Sequence, residues 1–114
     1  MVERKEDAAL TAILHAAADP TRRTILTLLA QNGPTRVTEI AARFAISLNA
    51  VLKHIKVLEA AGLVERRLVW REHLIEVRPE RLALIATWCA GLRSIWDLRL
   101  EALDVLLTKE NRDG

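Results

Sequence analysis

The sequence predicts a mainly α-helical domain with one small β-hairpin, closed by a long C-terminal helix. Three observations predict it. Apolar residues recur at helical spacing in four short segments up to Ala61. Between Gly62 and Pro79 the pattern changes to two short β-rich runs. After Pro79 an apolar stripe at helical spacing continues to Leu107. The 114 residues suit one domain with a modest core.

Each element has its own signals. Residues 7–18 are rich in Ala and Leu, with Leu10, Ile13 and Leu14 on one helical face. Asp19-Pro20 restarts the chain as a second helix, Asp as N-cap and Pro at the first helical position, where a missing N–H costs nothing. That helix runs to about Gln31, with Ile25, Leu28 and Leu29 inward, and Asn32-Gly33-Pro34 stops it. A short third helix follows, capped by Thr38 or the residue before it, with Ile40, Ala41 and Phe44 on its apolar side. Ala45-Ile46 reads as a tight turn, and Ser47 as the N-cap of a fourth helix that buries Val51, Ile55 and Leu58. Gly62 ends this helix as a left-handed cap. Leu63–Val69 and His73–Val77 form the hairpin, joined by Trp70-Arg71-Glu72. Pro79 opens the last helix, about 40 Å long at ~1.5 Å per residue. Its stripe is Leu82, Ile85, Trp88/Cys89, Leu92, Ile95/Trp96, Leu100, Leu103 and Leu106/Leu107. Residues 108–114 read as a frayed polar tail.

The net charge of +2 hides an uneven distribution. Residues 1–19 balance at −2, residues 20–78 carry ten bases against five acids, and residues 79–114 balance at −1. Of the 17 bases 13 are Arg, whose fork matches phosphates and guanine edges. The order helix, helix, helix–turn–helix, hairpin, long helix is that of a winged helix-turn-helix. A short helix braces a second one through a tight turn, the second lies in the major groove, and the wing reaches the neighbouring backbone or minor groove. The basic segment coincides with these parts, which makes double-stranded DNA the expected partner.

Three runs carry a family resemblance: Ala18-Asp19-Pro20-Thr21-Arg22-Arg23, Thr38-Glu39-Ile40-Ala41, and Ser47 with Lys53-His54-Ile55-Lys56-Val57-Leu58-Glu59-Ala60-Ala61-Gly62-Leu63-Val64. Over residues 8–105 the chain resembles the arsenic-repressor (ArsR-type) family of bacterial transcriptional regulators. The Trp70-Arg71-Glu72-His73 and Ile95-Trp96 stretches resemble a metal-independent branch of it. The resemblance implies a homodimer that binds a palindromic operator and usually represses. An effector of unknown chemistry, expected as a small molecule, would release the DNA. In this reading residues 1–107 are one domain, with 7–18 and 79–107 as dimerisation helices, 37–61 as the helix-turn-helix and 63–78 as the wing.

The recognition helix departs from the family pattern. Members commonly open it with Ser-Gln-Pro and place a Ser four residues after that Gln. Here these positions hold Ser47, Leu48, Asn49 and Leu52. Leucine donates no hydrogen bond to a base edge but touches thymine methyls. Leu48 and Leu52 therefore read DNA through apolar contacts, or pack against a ligand, protein or repositioned helix, or are surface drift. The second of these supports an alternative function, a protein-interaction module that docks a partner on the Leu48/Leu52 face. Asn49 either bonds an adenine or solvates the first turn. Lys53 and Lys56, with Arg66, Arg67 and Arg71 on the wing, suit phosphates, although such charges also occur as plain solvated faces. Of Arg22 and Arg23, one braces the N-terminal region and the other faces phosphate, and the sequence does not separate them. His54 is expected to brace the recognition helix by an internal hydrogen bond, and Glu59 and Glu65 to solvate a helix end and the wing.

The expected dimer interface is Leu10, Ile13 and Leu14 with Leu82, Ile85, Trp88, Cys89, Leu92, Ile95 and Trp96. Their stripe is wider than one small winged body covers, and a second copy would bury it. Trp88 and Trp96, eight residues apart, fill the dimer core or line a ligand pocket there. Cys89 reads as a small hydrophobe on the stripe, with a redox thiol as the other reading. No metal site is expected. The family's third-helix thiolate pair would fall near Arg36 and Thr38, and His15, His54 and His73 lie in three different elements. No cofactor is expected, and no enzyme signature is present: no phosphate-cradling glycine loop and no Cys/His dyad. One Cys excludes an internal disulfide framework. No apolar run reaches membrane-spanning length and no leader is visible, so the expected location is the cytoplasm.

Overall fold

The computed structural model describes residues 4–113. Five helices and three strands follow in the order α1 (Lys5–Ala17), α2 (Pro20–Asn32), β1 (Thr35–Arg36), α3 (Val37–Phe44), α4 (Leu48–Ala60), β2 (Val64–Val69), β3 (Glu72–Val77) and α5 (Pro79–Asp113). The helix starts and stops are local chemistry. The Asp19 carboxylate accepts from the Arg22 backbone N–H at 3.0 Å, and Pro20 occupies the first turn of α2. The Ser47 hydroxyl accepts from the Ala50 N–H at 3.1 Å and caps α4. Gly62 (φ 75°) lets the Gly62 and Leu63 N–H groups turn back onto the carbonyls of Glu59 and Leu58 at 2.9 and 3.0 Å. That pair of bonds is a Schellman stop. Helix α3 differs from expectation: Arg36 holds the N-cap position and no side chain caps it, so neither Thr38 nor Val37 does this job.

The wing belongs to a three-stranded antiparallel sheet in the order β1-β3-β2 rather than to a lone hairpin. Thr35 pairs with Ile75 and Arg36 with Leu74, which ties the α2–α3 connection to the inner wing strand. The hairpin is in register from Val64↔Val77 to Val69↔Glu72, leaving Trp70 and Arg71 as a two-residue tip.

The core draws side chains from all four helices α1–α4 and from the wing. Ile13, Ile25, Leu29, Ile40, Val51, Ile55, Leu58, Leu63 and Ile75 are all fully buried. Ile13 is thus a core residue of the single chain and corrects the interface set. Helix α1 packs on α2, α4 and α5 at once, so it buries more than one face. Leu82 and Ile85 are half-buried against this core, and Leu84 joins them.

Beyond Ile85 helix α5 leaves the body. Every residue from Ala86 to Glu110 is exposed. The helix runs to Asp113, past the expected end at Leu107, because nothing between them breaks a helix. The radius of gyration is 20.5 Å and the longest dimension 74 Å. A compact chain of this length would have a radius of about 13 Å. The projecting helix accounts for the difference.

Candidate nucleic-acid interface

The turn between α3 and α4 sets the recognition helix. Ala45 takes a left-handed conformation (φ 51°, ψ 35°), which ends α3 within one residue and lets Ser47 start α4 at once. Val51, Ile55 and Leu58 anchor one face of α4 in the core. The other face carries Asn49, Lys53 and Lys56 into solvent, at the i, i+4, i+7 spacing that puts them in one row. Ser47 and Leu48 are also exposed, whereas Leu52 is half-buried against the core. The two leucines are therefore not equivalent, and Leu48 is the more exposed of them.

The wing stands beside this row. Leu48, Leu52 and Val37 form the apolar side of an open hollow of about 340 Å³ whose other walls are Arg36, Thr38, Arg66, Glu72 and His73. Arg36, Thr38 and His73 were not among the DNA-facing candidates. Their signal in the sequence was weak: they come together only through the β1–β3 pairing.

The wing arginines are bound in ion pairs. Arg66 donates to Glu59 of α4 at 2.9 Å, and Arg67 contacts Glu76 of β3 at 3.0 Å. Arg78, at the base of the wing, lies 2.7 Å from Glu80 and 3.6 Å from Glu65. The hydrogen bond and charge of Glu80 hold the Arg78 guanidinium above its ordinary value, while the start of α5 and Arg78 hold the Glu80 carboxyl below its own. Glu59 and Glu65 thus fasten the wing to α4 and α5 rather than merely solvating it. Arg66 and Arg67, adjacent in β2, point to opposite faces, and each pairs with a carboxylate. Among the described residues Lys53, Lys56 and Arg71 have no ion pair and remain free for phosphate.

The Asp19 corner braces the interface from behind. Arg22 donates to the Ala16 carbonyl at 2.6 Å, and Arg23 to the Ala17 and Ala18 carbonyls at 2.8 and 3.0 Å. Both arginines close the end of α1, so neither is the free phosphate ligand that the sequence left open. The Arg22 N–H holds the Asp19 carboxyl below the usual carboxylate range. His54 Nδ1 lies 3.9 Å from Asp19, an ion-pair contact when the ring is protonated and too long for the hydrogen bond expected of it.

Of the residues assigned to a dimer interface, Leu10 is half-buried and Leu14 is exposed on α1. Trp88, Cys89, Leu92, Ile95 and Trp96 are all exposed on α5, so Cys89 is not a core residue of the single chain. No three His, Cys, Asp or Glu side chains among the described residues group as metal ligands. No helix among them is long and apolar enough to cross a membrane.

A capped recognition helix with a free basic row, braced by a short helix and flanked by a wing, defines a winged helix-turn-helix DNA-binding regulator. Comparison with known proteins agrees. Residues 17–67 match the family model described as a helix-turn-helix domain. The HTH-type transcriptional regulator Rv2034 of Mycobacterium tuberculosis is 36% identical over 98 residues, 86% of this chain and 88% of that protein. The crystal structure of the ArsR family transcriptional regulator RHA00566 superposes with a TM-score of 0.72 at 32% identity, over 85% of this chain and 97% of that one. The chain belongs to the ArsR family of transcriptional regulators. The fold alone is also shared, at 24% identity and a TM-score of 0.63, with the homodimeric winged helix-turn-helix DNA-binding domain Mb0332 of Mycobacterium bovis, over 82% of this chain and 91% of that one.

Proposed function

We propose that this regulator acts as a homodimer that represses from a palindromic operator in the cytoplasm. The observation that carries the reading is α5, which leaves the body after Ile85 with Trp88, Leu92, Ile95, Trp96, Leu100 and Leu103 uncovered. Such a stripe in water is an association surface. A second copy of the same helix covers it by two-fold symmetry, with Leu10 and Leu14 of α1 alongside. Two-fold pairing also presents two recognition helices to half-sites about one DNA turn, ~34–36 Å, apart.

In this assembly Lys53, Lys56 and Arg71 neutralise phosphates, while Ser47, Asn49 and Leu48 face the bases. Asn49 suits an adenine and Leu48 a thymine methyl. A small-molecule effector would act by changing the angle between the two recognition helices, since both are fixed to the dimer helices through the same cores. The apolar hollow at Leu48 and Leu52 favours a second reading, in which that face docks a protein.

Gel-shift titration against the DNA upstream of the protein's own gene, repeated across salt concentrations, tests the first reading. A shift that prefers this sequence and weakens steeply with salt is expected. The absence of any salt-sensitive, sequence-preferring shift would overturn it in favour of the second.

A further inference from the structure

The wing tip holds a side chain that the fold does not use. Trp70 is 94% exposed, the most exposed large apolar residue described. It is also held at φ 60°, the left-handed region that a two-residue hairpin turn asks for at its first central position. Glycine adopts that conformation freely, and a bulky side chain does so only under strain. The tip is therefore strained by a residue that gains no packing from the subunit. Its neighbours extend the pattern, since Leu68 is 61% exposed and Val69 is also exposed. Arg71 follows at once, exposed and without an ion pair among the described residues. An apolar point with a free guanidinium beside it is the chemistry of a wedge that enters a nucleic-acid groove, with the cation on the flanking phosphates.

Placement fixes which groove. Arg66, Glu72 and His73 of the wing share the hollow with Leu48 and Leu52 of the recognition helix, so the wing stands beside α4 up to the Val69–Glu72 pair, and the tip projects from that pair. With α4 in the major groove, the tip meets the adjacent minor groove. We infer that Trp70 is a minor-groove wedge: its indole enters a base step at each wing, partly unstacks it and bends the duplex. The step favoured is a pyrimidine–purine one, TA or CA/TG, because these unstack most easily. The wedge would add sequence preference at positions where no hydrogen bond is made to a base. The inference rests on the DNA-binding reading above, and its test separates the two.

The probes are duplexes that the wild-type dimer selects from a random-sequence library, labelled at both ends for bending by energy transfer. Trp70→Gly relieves the backbone, so its thermal midpoint should equal or exceed that of the wild type. Its DNA affinity should nevertheless fall by about a hundredfold or more, because the dimer loses one stacked aromatic at each of its two wings. The bend should be lost, and the slope of affinity against salt should stay the same, because no charge is removed. Trp70→Phe should keep most of the bend. Trp70→Gly with wild-type affinity and wild-type bend overturns the wedge while leaving DNA binding intact. A selection that enriches no duplex overturns the underlying reading, and the wedge with it.

Discussion

Truncating Trp96 to Ala is the perturbation that addresses α5 most directly. Trp96 is 59% exposed and touches no core residue, so its removal leaves the winged body unchanged. A tryptophan buries up to roughly 250 Å² when covered, so the exposed share amounts to about 150 Å² per subunit. At ~25 cal/mol per Å² this is about 3–4 kcal/mol for each copy, and a two-fold interface counts it twice. Ala keeps part of the area and the cover at a helix pair is incomplete, so about half the total, ~3 kcal/mol, is the conservative loss. That corresponds to a dimer dissociation constant raised about a hundredfold or more. Sedimentation velocity over a dilution series measures it directly. Adding Trp88→Ala should leave mainly monomer at micromolar concentration, while Trp70→Ala should leave the dimer untouched. If the Trp88→Ala/Trp96→Ala chain still sediments as a dimer with an unchanged constant, α5 is not the interface and the assembly proposed above fails.

Three further outcomes follow from the geometry. Ser47→Ala removes the cap of α4 and should cost about 1 kcal/mol in chemical denaturation, whereas Ser47→Asp should keep the stability and still weaken DNA binding by its charge. Lys53→Ala with Arg71→Ala removes up to four phosphate contacts per dimer and should flatten the log-affinity against log-salt slope by about 3–4 while weakening many sequences alike; an effect confined to one operator position would contradict the phosphate role. The Asp19 carboxyl is held below its ordinary value of 3.8 in the fold, so its contribution is complete above that value and is lost as pH falls through the lower folded one. The stability gap between wild type and Asp19→Asn, which keeps a capping side chain, should therefore close on acidification, and a gap that stays constant in thermal melts down to about pH 3 would rule this out.

What the chain revealed in advance depended on the range of the interaction. The Ser47 cap, the Gly62 stop and the Pro79 start each involve only the next few residues, and all three stand where their residue types place them. Strand β1 was invisible because two residues have no period. Thr35 and Arg36 become a strand only by pairing with Ile75 and Leu74, some forty residues away. Free and paired arginines look alike in sequence, since Arg66 meets Glu59 across two elements and Arg67 meets Glu76 across the hairpin. The row Asn49, Lys53, Lys56 follows from helical spacing, which puts positions i, i+4 and i+7 on one face. Ile13 was misplaced because α1 is covered on several sides, and periodicity gives a face without saying what covers it. Leu52 lies one position from the core edge of α4 and leans inward while Leu48 does not, a difference that the i, i+4 spacing of the pair does not carry.

In the proposed assembly two copies of this chain dock two recognition helices on one DNA site. Genome-wide capture of DNA fragments by the protein, read at base resolution, tests it most directly. The enriched sites should consist of two inverted half-sites whose centres lie about 10–10.5 base pairs apart. Enrichment of a single asymmetric half-site, or of no sequence at all, would contradict it.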